Sequence, residues 1–287
     1  MLLNYITWDV SPFIYEGEHF AIGWYGTLWV LGLIGLLATL LLTFKHDKVP
    51  IQYAYITFMV TLVCVIFFGH LFQGLFYEWY YAPNDPIHFL GTDWHYRNYY
   101  FEHPWKFLDF AHGGFASHGS ILGGALTAMI LHKRLSCSMW WLMDKIMLSL
   151  IFIAICVRAG NFINGEIYGI PTSLPWGVIF HEWEPPCHPT QLYEMMYYII
   201  CLLFFVIFYR FISSRHGLIT AITLLTGIVR IVIESVKKPQ MEIEQSWALN
   251  MGQWLSIPCV LLGGLLLVRI LENKIDCDED LEKNITI

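Results

Sequence analysis

The sequence predicts an all-α polytopic membrane protein with seven transmembrane helices, the N-terminus outside and the C-terminus in the cytoplasm. Three observations carry this prediction. The 287 residues are 56% hydrophobic and only 14% charged, whereas soluble domains run at about 45–50% and 25%. The apolar residues gather into long runs, and a helix needs about 20 of them to cross a bilayer. Lysine and arginine divide unequally between the two ends of those runs, and the richer end is the cytoplasmic one.

Seven runs meet the length requirement, at about 24–44, 52–77, 112–132, 140–157, 191–212, 217–236 and 252–271. Lys45, Lys48, Lys133, Arg134, Lys145, Arg210, Arg215, Arg269, Lys274 and Lys283 fall at one end of these spans. Arg97, Lys106, Lys237 and Lys238 fall at the other. Arg158 and Arg230 are left at or within the membrane. The first twenty residues contain no Lys or Arg and so lack the positive region of a signal peptide. They read as an interfacial segment with Tyr5, Trp8 and Phe13 at headgroup level.

Two long outer connections follow from this topology, an aromatic arm at about 78–111 and a loop at about 158–190. The arm, EWYYAPNDPIHFLGTDWHYRNYYFEHPWKFLDF, suits an outer interface, either touching lipid or anchoring the chain. Residues 1–275 form a single integral membrane domain, and 276–287 form an acidic cytoplasmic tail. That tail supplies much of the net charge of −7, and no basic face for nucleic acid is present. The seven cysteines show no CxxC spacing. Only Cys187 faces outward, so no intramolecular disulfide is expected there. The twelve histidines include no HExxH, and His112 and His118 are six apart, off a common helix face. Neither a metal nor a cofactor is expected.

Polar residues inside the apolar runs are the candidates for chemistry. An arginine in a span costs about 2.5–3.5 kcal/mol on insertion scales. Arg230 has Glu234 four residues on and could form a structural pair with it. Arg158 could snorkel to the headgroups. Alternatively, both guanidiniums could hold phosphate oxygens. In DFAHGGFASHGSILGGALTAMILH, Gly119 and Gly123 are spaced for close helix packing, or else leave room for a lipid chain. His118 in the same stretch is either a hydrogen-bonded structural residue or a general base. In CHPTQLYEMMYY, Pro189 fits a first helical turn with His188 near the N-cap. Gln191, Tyr193 and Glu194 would then stand at the outer mouth of the fifth span. Tyr25, in WYGTLWVLG, is a belt tyrosine or reaches into a cavity.

Taken together, these stretches resemble the prolipoprotein diacylglyceryl transferase family. VRAGNFINGEIYG, residues 157–169, resembles the signature G-R-x-G-N-F-x-N-x-E-x-x-G. FASHGSILGG, HPTQLYE, the N-terminal WYG and the Arg230–Glu234 helix followed by MGQWLSIP resemble further family stretches in the same order. The likeness runs from about residue 20 to 270. It implies an enzyme of the bacterial inner membrane, its site toward the outer leaflet. Such an enzyme moves diacylglyceryl from phosphatidylglycerol to the lipobox cysteine of a prolipoprotein signal peptide, releasing glycerol phosphate. The resemblance makes His118, Arg158 and Arg230 catalytic. It places Tyr25, Asn161, Asn164, Glu166, Gly169, Gln191 and Glu194 at the substrate. Four departures stand out. His70 and Thr226 replace an arginine and a tyrosine, Cys187 replaces the arginine of R-H-P, and Lys237-Lys238-Pro239-Gln240 replaces R-x-P-D.

The implied reaction is attack of a thiol sulfur on a glyceryl carbon. Free cysteine, with a pKa near 8.5, is only a few per cent thiolate near pH 7. His118 could remove the proton, which is the favoured reading, or the arginine field could lower the pKa directly. The arginines would take up the charge of the leaving phosphate. Two other classes remain from the sequence alone: a transporter or flippase for an anionic lipid or solute, and a non-catalytic scaffold. The absence of repeated halves speaks against the first.

Overall fold

A computed structural model describes residues 5–83, 87–89, 92–110 and 114–272. His112, Lys274, Lys283 and the acidic tail lie outside the described residues. The helices, in chain order, are α1 (Trp24–His46), α2 (Ile51–Phe76), α3 (Tyr99–Glu102), α4 (Ser117–Leu131), α5 (Met139–Ile163), α6 (Thr190–Ile212), α7 (Leu218–Leu225), α8 (Gly227–Glu234) and α9 (Met251–Leu271). Five of them, α1, α2, α5, α6 and α9, are long and apolar enough to cross a membrane. The chain is therefore a mostly helical, multi-pass membrane protein.

Three of the expected spans need correction. The third is only the 15-residue α4, about 22 Å long at 1.5 Å per residue. The sixth is interrupted at Thr226, between α7 and α8. There the Thr226 hydroxyl donates to its own helix at Thr223 O (2.6 Å), a back-bond that bends helices, and ψ relaxes to −13°. The fourth does not end at Val157 but continues to Ile163, so Arg158 and Asn161 are helical. The apolar run stops earlier than the helix because caps, rather than hydropathy, set the end. Gly165 takes a left-handed φ of 64°, and its N–H returns to Phe162 O at 3.1 Å. The Trp8 indole donates to Ile163 O (3.2 Å) and packs on Phe162 with ring centroids 4.2 Å apart. Trp8 thus plugs the end of α5.

Helix α5 is the axis of the molecule. Leu36, Leu40 and Phe44 of α1, Leu131 of α4, and Leu142 and Ile146 of α5 form one core. Leu148 and Ile151 meet Phe205 of α6 and Ile219 of α7 in a second. Lys145, counted above among the cytoplasmic charges, is 1% exposed inside α5 and paired with Asp47 at 2.6 Å. Helices α2 and α4 touch backbone to backbone. A Cβ on Gly119 would stand 2.1 Å from Phe68 O, and one on Gly123 would stand 2.6 Å from Cys64 O. These glycines serve close packing and leave no room for a lipid chain.

The N-terminal segment and the two long connections correct the all-α expectation with short β pairs. Strand β1 (Ile6–Thr7) pairs in parallel with Val178–Ile179, and Phe13–Glu16 forms a hairpin with Ala21–Gly23. In the arm, Trp79–Tyr81 pairs with Tyr96–Asn98 and Ile87–Phe89 with Thr92–Trp94. The arm is tied to the bundle by Asn98, which caps α3 through Tyr100 N (2.9 Å) and donates to Gly74 O (2.8 Å). His70, fully buried in α2, holds the base of the arm through Lys106 O (3.0 Å). Cys187 is buried with Tyr168, Val178 and Phe180.

Candidate active site

Eight helices, all those described except α3, line one cavity of about 460 Å³. Helix α1 contributes Tyr25, α4 its N-terminal Ser117 and His118, and α5 its last turns with Arg158 and Asn161. Helix α8 contributes Arg230 and α9 contributes Ser256. Asn164 and Glu166, just past the end of α5, complete one wall. Seven of the ten residues singled out from the sequence therefore line a single chamber: Tyr25, His118, Arg158, Asn161, Asn164, Glu166 and Arg230.

The charges are linked by named contacts. Arg158 pairs through Nε with Glu194 and donates from a terminal nitrogen to Asn161 Oδ1 (2.9 Å). Asn161 passes the interaction on, its amide donating to Glu166 Oε1 (2.9 Å). Arg230 donates to Ser117 Oγ at 2.7 Å and reaches Glu234 only at 3.4 Å. The expected Arg230–Glu234 pair is therefore loose. The tighter partner of Glu234 is Lys237, at 2.9 Å, and Lys237 also reaches Glu194 at 3.2 Å. Three cations, Arg158, Arg230 and Lys237, thus share two buried carboxylates, Glu194 and Glu234. Glu166 lies on the exposed wall. With Glu166 open to solvent, the cations outnumber the carboxylates buried against them, which favours an anion in the chamber. The N-terminus of α4 adds to the same potential.

The proton on His118 is fixed by its neighbour. Ser256 Oγ donates its one hydrogen to Gly252 O (2.6 Å). The 3.1 Å contact between His118 Nε2 and Ser256 Oγ must then use a hydrogen on Nε2. That tautomer leaves Nδ1 with its lone pair, buried and without a partner.

The other three residues sit behind the wall. Glu194 and Gln191, in the first turns of α6, are 0% exposed. Gln191 donates to Glu166 O (2.7 Å), and Thr190 donates to Ile167 O (3.0 Å). Together they brace a turn in which Ile167 takes φ 59°, a left-handed conformation that a β-branched residue rarely adopts. Gly169 is a crossing point where a Cβ would stand 2.5 Å from Val236 O. Helix α6 itself begins at Thr190 with Pro189 as N-cap, one residue later than the expected first turn. Tyr193 stays outside the chamber, its hydroxyl accepting from the Trp176 indole (2.9 Å).

Sequence reasoning missed Lys237, Ser117 and Ser256. Lys237 follows a span and reads as a loop charge, yet it is 4% exposed. Its signal was its place three residues after Glu234, on the same helical face.

A sequence profile of the family described as prolipoprotein diacylglyceryl transferase matches residues 12–269. The phosphatidylglycerol–prolipoprotein diacylglyceryl transferase of Chloroherpeton thalassium is 33% identical, over 93% of this chain and 94% of its own length. The protein of the same name from Porphyromonas gingivalis is 33% identical over 94% and 96%. That from Wolbachia pipientis is 31% identical over 93% and 97%. With the profile spanning nearly the whole chain and all of the residues that line the chamber, this protein belongs to the prolipoprotein diacylglyceryl transferase family.

Proposed function

We propose that the chain transfers the diacylglyceryl group of phosphatidylglycerol to the lipobox cysteine thiol of a prolipoprotein. It works in a bacterial inner membrane, from the outer leaflet. Seven membrane passages are proposed: the five long helices, α4, and the α7–α8 pair. The N-terminus is outside and the C-terminus cytoplasmic. The relatives named above are transferases, which supports this reading over the flippase alternative. The observation that carries it is the shared chamber: Arg158 and Arg230 face one cavity that also holds the unpartnered Nδ1 of His118.

In this reading the lipid phosphodiester occupies the positive end of the chamber, against Arg158 and Arg230. Asn161 and Tyr25 orient the headgroup. The peptide thiol approaches the glyceryl carbon that bears the phosphate oxygen. His118 Nδ1 accepts the thiol proton, because Nε2 already carries one. The sulfur–carbon bond forms as the carbon–oxygen bond breaks, and the bonding pair leaves on the phosphate oxygen as glycerol phosphate. The guanidiniums meet that charge where it grows, and donors already in place need no reorganisation. Glu194, Gln191 and Lys237 hold the groups that touch substrate.

The test is reconstitution with phosphatidylglycerol and a lipobox peptide, with the thioether product weighed by mass spectrometry. Diacylglyceryl peptide should form, and Arg158→Ala and Arg230→Ala should each lower its rate on the order of 100-fold or more. Full activity in both variants would remove the arginines from the reaction. His118→Gln should flatten the rise of rate with pH, and an unchanged profile would reject Nδ1 as the base.

A further inference from the structure

Among the polar side-chain atoms of the chamber that have no partner are two on different helices. The Nε of Arg230 is buried and makes no hydrogen bond, and neither does the buried hydroxyl of Tyr197. Tyr197 stands on α6 three residues after Glu194, a spacing that puts both on one face of the helix. Tyr197 and Arg230 line the same cavity. The phenol is held in place by its neighbour, since the rings of Tyr197 and Tyr198 pack with centroids 4.1 Å apart. No free hydroxyl reaches the chamber from the turn before Arg230. The Thr226 side chain there is already bonded to Thr223 O at 2.6 Å.

A buried hydroxyl without a partner is rare unless a ligand completes it. Arg158 and Arg230 line the same cavity as this hydroxyl, and the ligand atom they draw beside it is an anionic oxygen. We infer that the Tyr197 hydroxyl donates a hydrogen bond to a phosphate oxygen of the lipid held by Arg158 and Arg230. The inference rests on the function proposed above and adds a neutral donor to its two cations. Such a donor stabilises the charge that grows on the phosphate as the carbon–oxygen bond breaks, and it brings no further charge to bury. The sequence stretch CHPTQLYEMMYY thereby contributes twice, with Glu194 behind Arg158 and Tyr197 beside Arg230.

Tyr197→Phe removes one oxygen and keeps the packing ring, so it isolates the hydrogen bond. In the reconstituted assay with phosphatidylglycerol and a lipobox peptide, kcat should fall about 10- to 100-fold, the range for hydrogen bonds to charged groups. The melting temperature of the purified protein in detergent should stay at the parental value. A kcat within twofold of the parent would overturn the inference. So would a loss of kcat that comes only with a lower melting temperature, which would make the hydroxyl structural. Failure of the parental protein to form the thioether is a separate result, and it would overturn the function proposed above.

Discussion

The guanidinium of Arg158 meets two acceptors on two helices: Glu194 through Nε, and Asn161 through a terminal nitrogen at 2.9 Å. Only a planar group with donors on several nitrogens can hold both in fixed directions, and an ammonium cannot reproduce the fork. Arg158→Lys keeps the charge, and its rate of thioether formation should still fall on the order of 100-fold. A lysine variant with near-parental activity would mean that charge alone suffices. Arg158 was legible in the sequence because an arginine in an apolar run is costly and demands a reason. Lys237 was not, since only the fold brings Glu194 and Glu234 around it. The tautomer of His118 was also invisible, because it depends on Ser256, 138 residues away.

Among the elements, the long apolar helices could be read directly, and the deviations have local causes. Hydropathy marks where α5 stops being apolar, while Trp8 and Gly165 decide where it stops being helical. The spacing of Gly119 and Gly123 left two readings open. The backbone distance to α2 decides between them, and it yields a prediction. Gly119→Val would drive a side chain into Phe68 O, so α2 and α4 must separate. Overpacking of this kind costs about 1–3 kcal/mol or more, and thermal unfolding in detergent should show the loss. The loop between α5 and α6 offers a second prediction. It is fastened to the chain leaving α8 by Ile170 N to Val236 O at 2.9 Å. Outside that backbone contact, Glu184 accepts from Tyr168 (2.5 Å) and Lys238 (3.1 Å). The Tyr168 hydroxyl and then Lys238 hold the Glu184 carboxyl below its ordinary value. A lowered carboxyl stabilises the fold above its unfolded pKa, near 4.3, and that contribution fades as pH falls through the lowered folded value. Melting temperature should therefore decline in acid less steeply for Glu184→Gln than for the parent. The difference will be small, because Lys238 is 54% exposed. Identical slopes would show that the contact contributes nothing.

For the molecule as a whole, the membrane class, most of the spans and seven of the polar residues lining the chamber were legible in the sequence. It could not disclose the charge balance, because that depends on which ionisable groups the fold buries. Arg158, Arg230 and Lys237 share the buried carboxylates Glu194 and Glu234, and the other carboxylate of the chamber, Glu166, is solvent-exposed, so an anion bound beside the cations gives them a further partner. A ligand that binds only the folded state stabilises it by RT ln(1 + [L]/Kd), about 2.7 kcal/mol at 100 times Kd. Adding phosphatidylglycerol to the detergent-purified protein should therefore raise its melting temperature in a concentration-dependent way. Phosphatidylethanolamine, with no net charge, should raise it less. Lys237→Gln removes one cation from the cluster and leaves Arg158 and Arg230 in place. If the excess charge is what recruits the lipid, that variant should show a smaller rise at every lipid concentration. An equal rise for both lipids, or one unchanged in Lys237→Gln, would show that the acyl chains alone provide the stabilisation and that the buried imbalance does not select the headgroup.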